Sequence, residues 1–589
     1  MKQFFKFMFA SMLGFIISGV VLFFILIATI AGLASSGNKE EVKVPNNSIL
    51  KLDLNYLIPE RTTENILKNF NFQTFESKED AGLDDILANI KKAAADDNIK
   101  GIYLVMGINM NSFATLEEIR NELIEFKKTK KFILAYGELA DQKSYYLSSV
   151  ANKVYLNPAG ELILNGLSSS VVYLKTMFEK VGVNPELIRH GKFKSAGEPL
   201  IADKMSAANR EQISSYLGSL YYTMVNGIAS ARKKSSTEIE NIINQLLIQH
   251  PQDAVNLGIA DGLKYDDEIE TELKKLANTP NEEKVNIVTF GKYSKTPKIN
   301  ISTSEDKIAI IYCDGEIISG ESTDDAMGSE TIAKAIKKVR LDNNYKAIVL
   351  RINSPGGSAM ASDVIWREVI LAKKVKPIVV SMASVAASGG YYIAAPADVI
   401  VAEPNTITGS IGVFGLMINA KELLNNKIGV NVETVKFGEY ADLGSIDRPL
   451  TTAERAIIQK GVDRIYDDFI TKVAEGRKLK KEQVDSIAQG RVWVGLDAKK
   501  IGLVDEFGGL DKALEIAKNK AKLTDYRTVS FPELKNPLQN LFSDVSEQAN
   551  MYFAKKSLTP EQFKLINSIE KLMHYRGVQA RMSFDINVQ

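Results

Sequence analysis

The pattern of apolar and polar positions predicts helices that alternate with short buried strands, and the same order occurs twice along the chain. Each half has an amphipathic helical segment, short apolar runs and then a long amphipathic helix. Helices that alternate with short β-rich runs are typical of crossover units around a largely parallel sheet. The corresponding segments are 83–95 and 330–340 (helical), 99–106 and 347–352 (apolar), 131–136 and 377–382 (apolar), and 209–232 and 454–477 (amphipathic).

Similar stretches recur between the halves at a nearly constant offset. Residues 96–102 resemble residues 342–348, an offset of 348 − 102 = 246, and Arg232 corresponds to Arg477 at 477 − 232 = 245. Such a long constant period indicates a duplicated structural unit, so we predict a tandem duplication of one α/β module. The predicted units are the repeats 47–290 and 305–525, a polar connector around 280–304, and a C-terminal tail at 526–589 that is polar and partly helical and has no assigned role.

An uncharged apolar stretch covers residues 7–34. About 20 apolar residues span a bilayer, whereas the apolar part of a cleavable signal has only about 7–15 residues. Lys2 and Lys6 precede the stretch, so the positive-inside rule places the N-terminus in the cytoplasm. We predict a retained transmembrane helix within residues 1–36 of a bacterial cytoplasmic membrane, with both modules on the periplasmic side. Cleavage within residues 31–34 is the alternative.

Composition and charge limit the classes of function and the kinds of site that the chain can have. The formal net charge is +1, so a dedicated nucleic-acid binder, which usually has a basic excess, is not predicted. Three histidines are too few for a typical multi-histidine metal site, and they leave few bases for a serine–histidine–aspartate triad. The single cysteine, Cys313, cannot form an intrachain disulfide and lies in an apolar run that predicts a core position. We expect neither a metal nor another cofactor.

Three motifs rich in glycine and serine suggest where catalysis takes place. Residues 353–358, Asn-Ser-Pro-Gly-Gly-Ser, follow a predicted strand, and paired glycines let N–H groups approach an oxyanion closely. A tight turn without chemistry is the alternative for this motif. Residues 386–392 place Ser388 among small neighbours that leave room for a tetrahedral intermediate, although packing alone also explains such a run. The third motif is Thr-Gly-Ser-Ile-Gly at 408–412.

Together with Lys-Phe-Lys-Ser-Ala-Gly-Glu-Pro at 192–199, these motifs resemble the long, tandem-repeat form of the bacterial signal peptide peptidase A family, also called protease IV. The resemblance covers nearly the whole chain. It implies a Clp-protease- or crotonase-like fold, a serine–lysine dyad, cleavage of remnant signal peptides and other apolar peptides at the membrane, and a homotetramer. The implied site consists of Ser388 as nucleophile, Lys194 as general base, Ser410 as the hydroxyl that orients the lysine, and Gly357, helped by Gly356, Ser358 or Gly389, as the oxyanion hole.

The duplication tests this assignment independently of the family. At the offset of 246, Ser388 falls on Gln142, and the paired glycines fall on residues 110–111, Met and Asn. At an offset of 247, Lys194 falls on Ala441. Each half therefore lacks what the other retains, which predicts one composite site per chain across the interface of the halves. A site between neighbouring protomers is the alternative.

The role of Lys194 as a base makes a physical demand on its surroundings. Free lysine has a pKa of about 10.4, whereas a general base works best with a pKa of roughly 7–8. Burial disfavours the ammonium form, so we expect Lys194 to be desolvated and to have no carboxylate partner. Glu198 should therefore point elsewhere. His190, close to Lys194 in the chain, is the rival base.

Two other classes of function remain at this point. Enzymes of the same fold bind acyl-CoA and use glycine amides as an oxyanion hole without a serine nucleophile. The predicted export of the modules argues against this class, because coenzyme A is cytoplasmic. A non-catalytic membrane scaffold with the same fold is the second alternative.

Overall fold

The computed structural model describes residues 3–4, 6–15, 17–19, 21–22, 43–62, 70–71, 76–77, 81–280, 282–297, 302–323, 325–534 and 578–582. The described residues between 3 and 22 are helical. Residues 23–34 of the predicted anchor lie outside the described part of the chain. Within the ranges given above, no helix has the length and apolar character needed to cross a membrane. The transmembrane helix therefore stays a prediction.

The strands follow the order that the sequence pattern predicts, with additional short strands between them. In the first half they are β1 Ser48–Asp53, β2 Phe70–Asn71, β3 Glu76–Ser77, β4 Ile99–Val105, β5 Phe132–Asp141, β6 Lys153–Ile163, β7 Asn184–His190, β8 Gly262–Leu263 and β9 Ile287–Thr289. In the remainder they are β10 Lys307–Asp314, β11 Glu316–Ile318, β12 Ala326–Gly328, β13 Tyr345–Ser354, β14 Gly356–Ser358, β15 Ile378–Ala387, β16 Val399–Ala402, β17 Ile407–Gly409, β18 Val413–Asn419, β19 Val492–Val494, β20 Glu506–Phe507, β21 Arg527–Phe531 and β22 Val578–Arg581.

The helices from residue 83 onward alternate with these strands. In the first half they are α1 Leu83–Ala95, α2 Phe113–Lys128, α3 Gln142–Ser148, α4 Lys175–Val181, α5 Glu198–Ile201, α6 Ala207–Arg232, α7 Ser236–Asn244, α8 Pro251–Asn256, α9 Asp266–Ala277 and α10 Phe290–Ser294. In the second half they are α11 Ser329–Leu341, α12 Ala359–Lys373, α13 Gly389–Ala394, α14 Thr452–Arg477, α15 Lys481–Ile487, α16 Gly495–Lys500 and α17 Leu510–Lys520, with a π-helical turn at Leu423–Lys427.

The duplication is visible in the boundaries of the helices and strands. Helices α1 and α11 are related by an offset of 329 − 83 = 246 at their first residues and 341 − 95 = 246 at their last. Strands β5 and β15 show the same offset, 378 − 132 = 246. The long helices α6 and α14 are related by 452 − 207 = 245. The predicted α/β architecture with an internal repeat is therefore confirmed at the level of individual elements.

Each half is built on its own largely parallel sheet. The first has the strand order β8-β6-β5-β4-β1-β9, and the second has β19-β17-β15-β13-β10-β21, with β16 and β20 branching from β15. Parallel strands are usually covered on both faces, which makes them apolar at consecutive positions. Strand β10 follows this rule because its alternate residues enter two different cores. One core receives Ala309, Ile311 and Cys313, and the other receives Ile308, Ile310 and Tyr312.

Two short edge strands lie near the predicted boundaries of the repeats. Strand β9 lies at the end of the predicted first repeat, 47–290, where that repeat overlaps the predicted connector, and it pairs with β1. Strand β21 follows residue 525, the predicted end of the second repeat, and pairs with β10, so the second sheet includes residues of the predicted tail. Both are parallel edge strands, and short apolar patterns of this kind are weak evidence for a strand in the sequence.

A third sheet joins the two halves. Its order is β12-β11-β14-β22-β18-β7. Strand β7 comes from the first half and pairs antiparallel with β18 of the second, with His190 opposite Val413. Strand β22 comes from the predicted tail and lies between β14 and β18. The halves are therefore connected by backbone pairing as well as by side chains.

A buried ion cluster also connects the halves. Arg351 on β13 is 1% exposed, and its guanidinium donates to Glu60 at 2.7 Å and to Glu118 at 2.6 Å. A third donor bonds to Ser381 Oγ at 2.8 Å. Burial raises the pKa of both carboxyls, whereas the cation opposes this shift. Arg351 thus compensates two carboxylates supplied by the other half.

Candidate active site

Ser388 lies at the turn between β15 and α13 and is fully buried. Its backbone has φ 54° and ψ −113°, a conformation that is strained for a non-glycine residue. The Ser388 amide donates to the Gly409 carbonyl at 2.8 Å, and the Tyr392 amide donates to the Ser388 carbonyl at 2.8 Å. These bonds hold the turn in place, and strain at such a turn is characteristic of residues with a functional role.

Lys194 lies in the loop that follows β7, and the second half holds this loop from outside. The Phe193 amide donates to the Gln489 carbonyl at 2.8 Å. Gly490, at φ 78°, approaches so closely that a Cβ added there would lie 2.6 Å from the Cα of Lys194. A side chain at Gly490 would therefore displace the lysine backbone. The sequence alone gives little reason to select Gln489 or Gly490, because a pair of turn-forming residues is only a weak signal.

A buried polar network supports the same loop from the first half. Gln212 Nε2 donates to the Phe193 carbonyl at 3.1 Å and to Ser195 Oγ at 2.8 Å. Ser195 Oγ in turn donates to Asn209 Oδ1 at 3.0 Å. Asn209 and Gln212 belong to α6, the long amphipathic helix. Hydrogen-bonded buried side chains restrict the loop to one conformation.

The structure brings Lys194, Ser388 and Ser410 together. Lys194 Nζ lies 2.8 Å from Ser388 Oγ, 3.1 Å from Ser410 Oγ and 3.0 Å from the Ser410 carbonyl oxygen. All three residues are 0% exposed. Burial lowers the pKa of Lys194 well below its ordinary value. A neutral amine at this distance can accept a proton from the serine hydroxyl.

Glu198 points away from the lysine. Its carboxylate accepts from the Ser206 amide at 2.7 Å and from Ser206 Oγ at 2.7 Å, at the start of α6. In the part of the chain covered by the structure, Lys194 forms no ion pair with any carboxylate within 4.0 Å. A carboxylate beside the lysine would keep the amine protonated, and a protonated amine cannot act as a base.

The rival base, His190, has other partners. Its Nδ1 lies 2.7 Å from Asp463 Oδ1, and its ring stacks on Tyr466 with ring centroids 4.0 Å apart. Both partners belong to α14. The hydrogen bond to Ser388 Oγ comes from Lys194, so the geometry favours the lysine over the histidine as base.

The paired glycines lie on β14, where the backbone is crowded. A Cβ added to Gly357 would lie 2.1 Å from the Ile317 carbonyl oxygen, and one added to Gly356, at φ 95°, would lie 2.2 Å from the Ala580 carbonyl oxygen and 2.6 Å from the Gly389 nitrogen. Only glycine permits these approaches. Ser358 Oγ accepts from the Ala361 amide at 3.3 Å and caps α12, so its side chain has a structural partner.

The equivalent positions of the first half hold structural contacts instead. Gln142 exchanges two hydrogen bonds with the Gly166 backbone, at 2.7 Å and 2.9 Å. Asn111 is buried and donates to the Tyr56 carbonyl at 2.8 Å, whereas Met110 is 72% exposed. Ala441 lies in an exposed turn. Serine, glycine pair and lysine are thus replaced by residues that close turns or face solvent.

The tail strand β22 is the part of the site that the sequence did not indicate. It pairs with β14 so that Ala580 lies opposite Gly357. The polar, partly helical pattern of the tail predicts no strand there, and a short strand flanked by polar sequence is weak evidence for a sheet. The strand covers the glycine pair in the structure.

The family model of peptidase family S49 matches residues 125–279 and 370–524, one match in each half. This chain belongs to peptidase family S49. The predicted resemblance to the tandem-repeat signal peptide peptidase A form is confirmed, and the S49 assignment makes the chain a serine protease. The alternatives of an acyl-CoA enzyme and of a non-catalytic scaffold do not fit this assignment.

Relatives of this S49 peptidase span most of its length. It is 37% identical to the chloroplastic serine protease SPPA of Arabidopsis thaliana, over 84% of this chain and 73% of that protein. It is 37% identical to protease 4 of Salmonella typhi, over 83% and 82% of the two chains, and 34% identical to protease 4 of Haemophilus influenzae, over 85% and 83%. Both repeats are therefore part of the shared length.

A match among solved structures is far weaker. The ClpP1 N165D mutant from Listeria monocytogenes matches 35% of this chain and 94% of that chain, at 18% sequence identity and a TM-score of 0.23. At this TM-score the Clp-like assignment of the module stays a prediction. The mixed α/β sheets of the two S49 modules are established by the strand pairing itself.

Proposed function

We propose that Ser388 and Lys194 form the catalytic dyad of a membrane-anchored serine endopeptidase that degrades remnant signal peptides and other apolar peptides. The observation that carries the proposal is the 2.8 Å contact between Lys194 Nζ and Ser388 Oγ, in a fully buried site. The contact lies within one chain, which supports one composite site per chain rather than a site between protomers. The different replacements at Gln142 and Ala441 support the same conclusion.

The mechanism follows from the positions of these groups. Neutral Lys194 accepts the Ser388 hydroxyl proton, and the serine oxygen attacks the peptide carbonyl carbon. The Gly357 amide, with Gly356 and Gly389 nearby, stabilises the negative charge that develops on the carbonyl oxygen. Lys194 then gives its proton to the leaving amine, and a water activated by Lys194 hydrolyses the acyl-enzyme. The Ser410 hydroxyl and carbonyl hold the amine in position throughout.

The proposed location rests on the apolar stretch at residues 7–34 and on the charges that precede it. It places both modules on the outer face of a bacterial cytoplasmic membrane, where spent signal peptides are released from exported proteins. A homotetramer is part of the proposal because the family resemblance implies it. A variant without residues 2–36 should leave the membrane fraction, and light scattering of the detergent-solubilised full chain should give the mass of four chains.

A fluorophosphonate probe tests the dyad. We expect the wild-type chain to be labelled at one residue, Ser388, with one label per chain. Ser388→Ala should lose the label, and Lys194→Met should slow labelling by about 10²–10⁴-fold, the usual contribution of a general base. Lys192→Met is the matched control because Lys192 lies in the same loop with its side chain 65% exposed. It should label at the wild-type rate.

Two further variants complete the test. Ser384→Ala removes another hydroxyl from β15, one that bonds to Ser112 Oγ at 2.6 Å, and labelling should persist. His190→Phe keeps the stack on Tyr466 but removes the imidazole, and labelling should also persist. A folded wild-type chain that takes no label at Ser388, or a His190→Phe variant that loses it while Lys194→Met keeps it, would overturn the dyad.

A further inference from the structure

Three consecutive residues, 489–491, connect the lysine loop after β7 to the turn that contains Ser410. On one side, the Gln489 carbonyl accepts from the Phe193 amide at 2.8 Å. On the other side, the Arg491 carbonyl accepts from the Ser410 amide at 2.7 Å. The position of this bridging segment therefore sets the distance between the lysine amine and the hydroxyl that orients it. In a catalytic site, a displacement of about 1 Å can lower the rate by about 10²-fold.

The bridging segment has an unusual backbone conformation. Gln489 has φ 52°, in the left-handed region that is uncommon for residues other than glycine, and Gly490 has φ 78°. The Gly490 amide donates to the Ile411 carbonyl at 2.8 Å, which fixes the second of these residues. A non-glycine residue keeps such a conformation only where its surroundings hold it. The side chains around Gln489 therefore decide where the bridging segment lies.

Tyr466 and Asp485 hold Gln489 from the second half. The buried Tyr466 hydroxyl donates to Asp485 Oδ1 at 2.5 Å and accepts from the Gln489 amide at 3.3 Å. Asp485 Oδ1 also accepts from Gln489 Nε2 at 2.7 Å. Burial raises the pKa of the Tyr466 hydroxyl, and the hydrogen bond to Asp485 raises it further. The hydroxyl therefore keeps its proton and remains a donor to the carboxylate.

The ring of Tyr466 also contacts the strand that leads to the lysine. It stacks on the His190 ring, with 4.0 Å between the ring centroids and 20° between the ring planes. His190 is the last residue of β7, and the lysine loop begins directly after it. One side chain therefore contacts both partners, since its ring lies against the end of β7 and its hydroxyl binds the bridging segment.

The duplication indicates that the long helix does not need this hydroxyl network in order to pack. Helices α6 and α14 are related by an offset of 245, so Tyr466 corresponds to another tyrosine, at 466 − 245 = 221. The Tyr221 side chain packs against the core of the first half. Among the residues that the structure describes, its buried hydroxyl has no hydrogen-bond partner. The aromatic ring is thus common to both repeats, whereas the bonded hydroxyl belongs to the half in which it adjoins the site.

We propose that Tyr466 and Asp485 are positioning residues, which act through the bridging segment to hold the lysine amine against Ser388. The proposal rests on the proposed function, because it concerns the same dyad. Without the tyrosine hydroxyl, the Gln489 amide loses its acceptor and the bridging segment relaxes from its left-handed conformation. The lysine loop then shifts, water reaches the amine, and the amine spends less time in contact with the serine hydroxyl.

Tyr466→Phe tests the hydroxyl alone, because this variant keeps the ring and its stack on His190. We expect the fluorophosphonate label to form at Ser388 about tenfold more slowly than in wild type, the effect of one hydrogen bond. The labelling should reach the same end point, one label per chain. For a small apolar peptide, kcat should fall by the same factor at unchanged KM. Tyr221→Phe is the matched control, since it removes the hydroxyl at the corresponding position of the first repeat, and it should label at the wild-type rate.

The pH profile distinguishes a displaced lysine from a less stable chain. The hydroxyls that the amine contacts, on Ser388 and Ser410, are uncharged, so solvation is the property that changes when the amine moves. A lysine amine that water reaches recovers part of its ordinary pKa, and the ascending limb of kcat/KM should move to higher pH in Tyr466→Phe. A loss of folded protein would instead lower the end point of labelling and leave this limb in place. That result would assign Tyr466 to stability and overturn the proposal.

Two variants of Asp485 test the other half of the network. Asp485→Asn keeps an oxygen that accepts from Tyr466 and Gln489, and it should retain at least about half of the wild-type labelling rate. Asp485→Leu has no acceptor and should label as slowly as Tyr466→Phe. The double variant should be slower than either single variant by less than about twofold, because both changes break one network. Labelling of Asp485→Leu at the wild-type rate would overturn the role of Asp485.

Labelling of the wild-type chain separates this proposal from that of the dyad. If the folded wild type takes no label at Ser388, the dyad is wrong and the positioning role is wrong with it. If the wild type is labelled and Tyr466→Phe has the same rate and the same ascending limb, the dyad stands and the positioning role is wrong. A Tyr221→Phe variant that labels as slowly as Tyr466→Phe would also overturn the proposal, because the effect would then not depend on contact with the bridging segment.

Discussion

His190 and Val413 are register partners in the antiparallel pair that β7 and β18 form between the two halves. Lys194 follows β7 in the chain, and Ser410 precedes β18. This single pairing therefore delivers the lysine loop of the first repeat to the serine motifs of the second. It explains how two repeats that have each lost part of a site can share one, and it makes the relative position of the halves a condition of activity.

The first prediction concerns the pH dependence of activity. The dyad needs Lys194 as a neutral amine. Burial lowers the pKa of this amine. Activity should therefore rise with pH as this amine loses its proton and level off above its pKa. The measurement is kcat/KM for a small apolar peptide between about pH 5 and pH 10. Lys192→Met should keep the profile, whereas an ascending limb that is unchanged in Lys194→Met would contradict the assignment.

The second prediction concerns stability. Between the lowered pKa of Lys194 in the folded chain and about 10.4 in the unfolded chain, the unfolded state binds more protons, so stability rises with pH. Lys194→Met removes the cost of burying an amine that must lose its proton. We expect the variant to be more stable at pH 7 and to gain less stability as pH rises. Urea unfolding at several pH values measures both effects, and a less stable variant would count against a desolvated lysine.

The third prediction concerns Ser410 as a positioning residue. Its hydroxyl lies 3.1 Å from Lys194 Nζ, whereas its carbonyl contact at 3.0 Å does not depend on the side chain. Ser410→Ala should therefore lower kcat by about tenfold with little change in KM. Ser486→Ala, which removes an exposed hydroxyl far along the chain, is the control. A rise in KM at unchanged kcat would assign Ser410 to substrate binding instead.

The fourth prediction compares two glycines. A Cβ on Gly357 would lie 2.1 Å from the Ile317 carbonyl oxygen, so Gly357→Ala must move the backbone whose amide we propose as part of the oxyanion hole. We expect kcat to fall by about 10²–10³-fold. Gly461 lies inside α14 with nothing within 4 Å of an added Cβ. Gly461→Ala should keep full activity and gain about 0.5–1 kcal/mol of stability, as expected for alanine in a helix interior. Equal activities of the two variants would remove Gly357 from the oxyanion hole.

The fifth prediction concerns the ion cluster between the halves. Arg351→Met leaves Glu60 and Glu118 buried without their cation, which should cost about 3–5 kcal/mol of stability at pH 7. The pKa of both carboxyls is raised, so the loss should shrink as pH falls and they take up protons. Arg455→Met breaks a partly exposed ion pair with Glu186, in which the Arg455 side chain is 47% exposed, and should cost less than about 1 kcal/mol. Denaturant unfolding at two pH values distinguishes these outcomes.

The sequence by itself determined the repeat and the residues of the candidate site. Helices α1 and α11 could be located because their apolar positions recur with the helical period, and the glycine pairs could be located because few other residues tolerate such turns. These signals depend on positions that are close together in the chain, so they can be recognised without knowledge of the fold. Comparison of the two repeats at a constant offset showed in addition that each repeat lacks the residue, Ser388 or Lys194, that the other retains.

Only the tertiary structure decided which strand edges meet. The alternation of side chains along β7, β18 and β22 fixes which faces are buried, but it does not name a partner strand. The pairing of β7 with β18, the insertion of β22 beside Gly357 and the contact of Arg351 with Glu60 each join residues that are far apart in the chain. The lowered pKa of Lys194 depends on neighbours from both halves, and burial of this kind exists only once the halves have packed together.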